Sequence, residues 1–417
     1  MGISVNNLDE SICYHHLVYY HMQIERSLNK MSIDPTKKAA YSLATLCLHG
    51  DSPSNTCDSS GAISFPIYQS ATFAHPSVGN STGYDYSRLQ NPTREQLEKV
   101  VCSLEHGVDA LAFSSGMAAI TTVMELFEPG DHVICSNDLY GGSIRLFNSI
   151  SRKNQLSFDY VNTSDIDITP FLRPNTKAIY IETPSNPMMN VTDLKKVSDL
   201  AHKHNLLLIV DNTFLSPYFQ NPIDLGADIV VHSGTKYLGG HNDTIAGFVI
   251  VNSKELSDRL RFLIKTVGNG LAPFDSWLIL RGLKTLALRM EQGQKNAIAI
   301  ANWLSRNKKV TKVYYPGLKS HPQYDLNLTQ ARGFGCMLTF EVDSKETALS
   351  VLSSMQLIQF AESLGGVETL MTYPCTQTHA DVPEADRIRN GITDRVLRLS
   401  VGIEDINDLL ADLAQVL

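Results

Sequence analysis

The chain has 417 residues, enough for roughly two or three domains with cores of their own. Its 35 Lys and Arg against 43 Asp and Glu give a net charge of −8 with no basic stripe, so nucleic acid is not an expected partner. The longest apolar runs, such as Leu206 to Val210, are strand-length, so no membrane span is expected.

Within residues 1–38, Met1 to Lys30 shows neither the charged-then-apolar layout of a leader nor an Arg-rich amphipathic pattern. Residues 1–38 are expected to form a low-order extension, with Met31 an alternative start. His15, His16 and His21 lie in this irregular segment and read as chance neighbours, not a metal cluster. Residues 39–85 hold few periodic elements and many turn residues (Asp51-Ser-Pro-Ser-Asn55, Gly79-Asn-Ser-Thr-Gly83), which reads as an extended arm around a partner subunit. Thr93-Arg-Glu-Gln96 is a capping box opening a helix with Leu97, Val100, Val101 and Leu104 on one face. From Ala110 to Ile250 strands and helices alternate, which predicts an α/β fold with a mostly parallel, doubly wound sheet. Phe274 to Leu304 has long helical periodicity and leads to a C-terminal part. There Met337–Val342 and Val396–Val401 read as antiparallel strands flanked by helices.

Candidate chemistry sits at the strand ends. Ala110-Leu-Ala-Phe113 runs into Ser114-Ser-Gly-Met117 and an apolar helix. Gly116 lets backbone approach an anion, and the helix N-terminus faces it with free N–H groups. After the strand His132–Ser136, Tyr140 precedes Gly141 and Gly142; it can lie flat on a ring, or be a plain turn tyrosine. Ile179-Tyr-Ile-Glu182 enters Thr183-Pro-Ser-Asn-Pro187, whose two X-Pro steps favour a rigid loop and admit a cis bond. Asn186 in that loop can bond a cofactor oxygen or a substrate carboxylate.

Leu206 to Val210 reads as a central buried strand with Asp211 at its carboxyl end, where open α/β sheets place ligands. An Asp there pairs with a protonated ring nitrogen, or caps the next turn. The next strand ends in Ser233-Gly-Thr-Lys236, two hydroxyls and an amine. Hydroxyls and backbone N–H groups hold a phosphate, and an amine forms a Schiff base with an aldehyde. Together these groups point to pyridoxal 5'-phosphate (PLP), although a surface Lys after a strand is the plain alternative. Arg398, in the alternating strand Val396–Ile403, has the fork to grip a carboxylate; taken alone, it reads as an edge-strand Arg in solvent. The seven Cys, at 13, 47, 57, 102, 135, 336 and 375, form no CxxC pair and no metal spacing, which suits a reducing cytosol and argues for no metal.

From about Ala40 to Leu417 the sequence resembles the transsulfuration (Cys/Met metabolism) family of PLP enzymes. The motifs are Tyr84-Asp-Tyr-Ser-Arg-Leu-Gln-Asn-Pro-Thr-Arg94, Ser115-Gly-Met117, Tyr140-Gly-Gly142, Glu182-Thr-Pro-Ser-Asn-Pro187, Val210-Asp-Asn-Thr213, Ser233-Gly-Thr-Lys236, Ala361-Glu-Ser-Leu-Gly-Gly366 and Arg398-Leu-Ser-Val-Gly402. The resemblance implies an aspartate-aminotransferase-like (fold type I) large domain, residues 86–275, with a mostly parallel seven-stranded sheet, and a smaller α+β domain, residues 276–417. It implies that Lys236 carries the cofactor and moves protons, that Asp211 binds the ring nitrogen, and that Tyr140 stacks on the ring. Gly116, Met117, Ser233 and Thr235 would hold the phosphate, with Tyr86 and Arg88 reaching that of a neighbouring subunit. Arg398, with Asn186 and Ser363, would hold the substrate α-carboxylate. A cytoplasmic homo-oligomer, a dimer of dimers acting on small amino acids, is the implied setting. Gly234 and Asn242 depart slightly from the family pattern, and neither is a required chemical group.

Details of the resemblance favour one reaction. Gly141 stands where methionine γ-lyases typically carry Cys. Asp85 and Glu362 resemble an acidic pair that faces the ammonium end of cysteine or cystathionine, and Arg145 a cation for the distal part of the substrate. The expected activity is that of a cystathionine γ-synthase or O-acylhomoserine thiolyase, with the cystathionine γ- and β-lyases as the alternative. An inactive binding homologue and an aminotransferase fit less well, since all ring, phosphate and Schiff-base groups are present and Tyr86, Arg88, Ser233 and Thr235 match the transsulfuration group.

Overall fold

A computed structural model describes residues 41–50, 61–164 and 167–417. The 1–38 extension, its histidines and the turn at 51–55 lie outside the described residues.

Seven strands build the larger sheet: β1 Asp109–Phe113, β2 His132–Ser136, β3 Ser157–Val161, β4 Thr176–Glu182, β5 Leu207–Asp211, β6 Ile229–Ser233 and β7 Gly247–Val251. Their order is β1-β7-β6-β5-β4-β2-β3. All neighbours run parallel except β7, which is antiparallel to both β1 and β6. The sheet thus has the expected mostly parallel form. Its strands are continuous apolar runs because helices cover both faces. On one face, helix Pro92–Glu105 buries Leu97, Val100, Val101 and Leu104 against Val210, Val230 and Ile250. On the other, helices Gly116–Met124 and Lys254–Val267 pack on Ile209, Val231 and Val249. Each fully buried aliphatic side chain contributes about 1.5–3 kcal/mol.

The smaller sheet comprises β8 Val310–Tyr314, β9 Met337–Val342, β10 Gln359–Phe360, β11 Leu370–Thr372 and β12 Val396–Ser400, in the order β10-β11-β12-β9-β8. β12 is antiparallel to both neighbours, as the sequence suggests for β9 and β12. It lies inside the sheet, so Arg398 is no edge-strand arginine: its side chain is only 1% exposed.

Three local readings are refined. The helix expected to open at Thr93 is capped by Asn91, whose side chain accepts from the Thr93 and Arg94 N–H groups. Pro92 occupies the first helical position, where its missing N–H costs nothing. Thr93 instead bonds Pro66 O and Tyr68 N, tying the arm to the helix. Among the described residues of the stretch 41–85 there is one short helix, Leu43–His49. The helical stretch from Phe274 divides into Pro273–Leu283 and Leu286–Leu304. Arg289, just past the division, donates to Tyr237 O at 2.6 Å and Gly282 O at 2.8 Å, bracing the turn that follows Lys236. Among the described residues no helix is long and apolar enough to cross a membrane.

Candidate active site

Parallel pairing brings the carboxyl ends of β4, β5 and β6 side by side, with Glu182 the register partner of Asp211. Asp211 Oδ1 accepts from the Thr213 N–H at 3.0 Å and the Thr213 hydroxyl at 2.6 Å. The same hydroxyl accepts the Ser233 N–H at 2.9 Å, which joins the ends of β5 and β6. Burial raises the Asp211 carboxyl above the usual range. Glu182 is raised further, by burial and by the nearby Asp211 charge. Its Oε2 accepts the Tyr140 N–H at 2.8 Å and so fixes where that tyrosine leaves the sheet.

The turn after β6 presents Lys236. Its Nζ lies 2.8 Å from Ser363 Oγ. Burial lowers its pKa to about 8, the Arg398 charge helps, and Glu362 opposes. Ser363 O accepts from Arg398 Nη2 at 3.1 Å, as does Thr372 Oγ1 at 3.1 Å, while Arg398 Nη1 donates to Asn186 Oδ1 at 2.8 Å. Lys236, Ser363, Arg398 and Asn186 therefore form one connected group. Arg398 Nε is buried without a hydrogen-bond acceptor. Burial lowers the guanidinium to about 10, still charged at neutral pH. In the Asn186 loop both Thr183–Pro184 and Asn186–Pro187 are cis.

At the start of helix Gly116–Met124, Ser115 Oγ accepts the Ala118 N–H. The N–H groups of Gly116 and Met117 precede any intrahelical acceptor. A Cβ on Gly116 would stand 3.1 Å from Ser233 Cβ, so the glycine keeps open the space between helix and strand end. Thr235 Oγ1 accepts the Ala246 N–H at 3.1 Å from the same turn. Gly234, the departure from the family pattern, has Phe248 where a Cβ would go, 2.4 Å away.

Five further candidates make no hydrogen bond to the connected group. The Arg88 guanidinium lies 5.5 Å over the Tyr86 ring and bonds Lys265 O, away from the hydrogen bonds around Lys236. Asp85 accepts from Ser81 Oγ at 2.6 Å and pairs with His75 at 3.1 Å. Arg145 pairs with Asp381 at 2.5 Å, both well exposed. Glu362 is exposed, yet its charge bears on both Lys236 and Arg398.

Residues 44–417 match the family model described as Cys/Met metabolism PLP-dependent enzyme. The chain belongs to this family. It is 49% identical over 374 residues to a cystathionine gamma-lyase of Bacillus subtilis, covering 89% of this chain and 98% of that protein. It is 47% identical over 377 residues to a cystathionine gamma-synthase of Haemophilus influenzae, covering 90% and 97%. The crystal structure of the Xanthomonas oryzae cystathionine gamma synthase, in complex with aminoacrylate and cysteine, superposes with a TM-score of 0.88 at 39% identity, covering 90% of this chain and 98% of that one. Family membership makes this a PLP-dependent enzyme of cysteine and methionine metabolism with a fold type I architecture.

The residues present fit that cofactor. Asp211 is a buried carboxyl hydrogen-bonded by the neutral Thr213, a place that a cationic ring nitrogen suits. The Gly116–Ser233 gap would be filled by a methyl group. The Lys236 amine, bonded to Ser363 Oγ, comes from the turn that follows Ser233.

Sequence reasoning assigned no individual role to Thr213, Thr372, Asp138 or His379. Thr213 was legible, since a hydroxyl two residues after an Asp commonly bonds it. Asp138 accepts from Ser185 Oγ, from Met188 N at 3.2 Å and from Asn190 Nδ2 at 3.4 Å, holding the cis-proline loop. Thr372 meets Arg398, and His379 meets Leu139 and Asn186, only through tertiary packing.

Proposed function

We propose that the chain is a γ-replacement enzyme, a cystathionine γ-synthase or O-acylhomoserine thiolyase that joins an activated homoserine to cysteine or sulfide. The observation that carries the reading is the connected group Lys236–Ser363–Arg398–Asn186, with the unpaired Arg398 Nε and the carboxylate of Glu362 beside it. Bound at Lys236, PLP supplies an electron sink for charge developing at the substrate α-carbon. Asp211 holds a proton on the ring nitrogen, and Tyr140 covers the ring face. Gly116, Met117, Ser233 and Thr235 hold the phosphate, and Tyr86 and Arg88 serve the phosphate of a neighbouring subunit in a homo-oligomer. Arg398 takes the α-carboxylate in its fork. Lys236 Nζ, uncharged above about pH 8, would take the α-proton, hand it on, and once neutral again take a β-proton, so that the γ-substituent can leave. The thiol adds at the γ-carbon. Glu362 and Asp85 face the ammonium end of the incoming cysteine, and Arg145 the distal part of the acylated substrate. A tight fit at Gly141 supports the reading: a Cβ there would come 2.1 Å from Thr378 O, which leaves no room for a methionine γ-lyase cysteine. A cytoplasmic setting is part of the proposal.

Cystathionine cleavage is the second reading, favoured by the 49% identity to a cystathionine gamma-lyase. Purified enzyme assayed with O-acetylhomoserine plus cysteine or sulfide, beside cystathionine alone, separates the two. Higher kcat/KM for replacement supports the proposal. Higher kcat/KM for cystathionine cleavage overturns it and leaves the PLP chemistry standing.

A further inference from the structure

His379 comes from the C-terminal part of the chain, yet its imidazole lies inside the wall of the site, 1% exposed. Nε2 is 3.2 Å from Leu139 O and 3.1 Å from Asn186 O. Both are carbonyls, so Nε2 carries the proton and divides one N–H between them. Nδ1 accepts from the Thr378 hydroxyl at 2.9 Å. Every polar atom of the ring is thereby used in the neutral form. Burial lowers its pKa to about 4, helped by the charges of Arg398 and Arg387, so the ring stays neutral through the physiological range.

The two carbonyls are significant ones. Leu139 immediately precedes Tyr140, and Asn186 holds Arg398 by its side chain. Three further contacts from the same segment flank Tyr140. Asn390 and Asn137 exchange hydrogen bonds, Nδ2 to O at 3.0 Å and Nδ2 to Oδ1 at 3.0 Å. Thr378 O packs against the α-carbon of Gly141, and Asp381 pairs with Arg145. The contacts fall at residues 137, 139, 141 and 145, on both sides of Tyr140. The tyrosine side chain itself is 40% exposed and is held locally by the bond from its N–H to Glu182.

We infer that Thr378–Asn390 is a strap that positions Tyr140 and the Asn186–Arg398 pair, with His379 as its central positioning residue. The inference rests on the reading of Tyr140 as the ring-stacking residue and Arg398 as the carboxylate site. It makes the stacking geometry and the carboxylate grip respond together to one N–H donor. It also gives Gly141 a second duty, since any side chain there would lift the strap.

The test uses holoenzyme variants His379→Leu, His379→Gln, Asn390→Ala and Tyr140→Ala. The readouts are the visible-region circular dichroism of the bound cofactor and steady-state constants for O-acetylhomoserine plus cysteine. His379→Leu should reduce the dichroic band and raise KM roughly tenfold, the effect of about one hydrogen bond, with a smaller fall in kcat. His379→Gln, which retains an N–H donor, should recover most of both changes. Asn390→Ala should move both readouts in the same direction by less, and it decides the matter if His379→Leu does not fold. Wild-type dichroism and KM in His379→Leu, or in Asn390→Ala should that variant have to decide, overturn the strap. So does a Gln variant no better than Leu. A Tyr140→Ala enzyme with an unchanged dichroic band removes the stacking reading itself, and the strap's role with it.

Discussion

Ser363 reaches Lys236 Nζ at 2.8 Å from a backbone with φ 99°, a left-handed conformation that L side chains seldom adopt. Holding a serine there costs on the order of 1–3 kcal/mol, and such strain clusters at functional sites. The hydroxyl is thus placed opposite the amine at a conformational expense. Ser363→Ala and Ser363→Gly both remove the hydroxyl, and only the glycine relieves the backbone. The Gly variant should be more stable than the Ala variant by about 1–2 kcal/mol in denaturant unfolding, with kcat/KM reduced in both. Equal stabilities would show that the φ carries no strain.

Asp211→Asn should lower kcat far more than it lowers cofactor content. In the proposed roles, the carboxylate holds a proton at the ring nitrogen, while the phosphate is gripped separately around Gly116 and Ser233. Cofactor absorbance gives content and steady-state assay gives kcat. Near wild-type turnover in the Asn variant would remove the role.

Tyr86 and Arg88 lie with Lys265 and apart from the hydrogen bonds around Lys236, as expected if they serve a neighbouring subunit. Arg88→Ala should loosen the cofactor. Mixing Arg88→Ala subunits with Lys236→Ala subunits should restore one working site per hybrid dimer. No restoration would mean that each site is built from one chain.

The capture of added PLP by protein stripped of cofactor should depend on pH through Lys236. Burial and Arg398 disfavour the ammonium and lower its pKa from 10.5 to about 8. Only the neutral amine attacks the aldehyde, so the capture rate should rise with pH through about 8 and level off above it. A rate that continues to climb past pH 10 would mean an ordinary, solvated lysine. Stopped-flow absorbance measures it.

The sheet and the residues at its strand ends were legible because they are local. Continuous apolar runs specify buried parallel strands, and residues just past them fall at the carboxyl edge, which is how Asp211, Ser233 and Lys236 could be read. Two X-Pro steps admitted the cis bonds of the Asn186 loop. Arg398 was ambiguous because strand position within a sheet depends on partners far away in sequence. With β9 and β11 on either side, the same alternating pattern becomes a buried strand. Asn91 displaced Thr93 as the helix cap because Pro92 suits the first helical position better than any other. The contacts of His379 with Leu139 and Asn186, and the Arg145–Asp381 pair, could not be read locally, since the partners lie far apart in sequence.

The most direct test of the account is borohydride reduction of the holoenzyme followed by peptide mapping. Reduction fixes the cofactor to whichever amine carries it. The account predicts a single phosphopyridoxyl-labelled peptide containing Lys236, and no label in Lys236→Ala. A label on any other lysine would contradict the site.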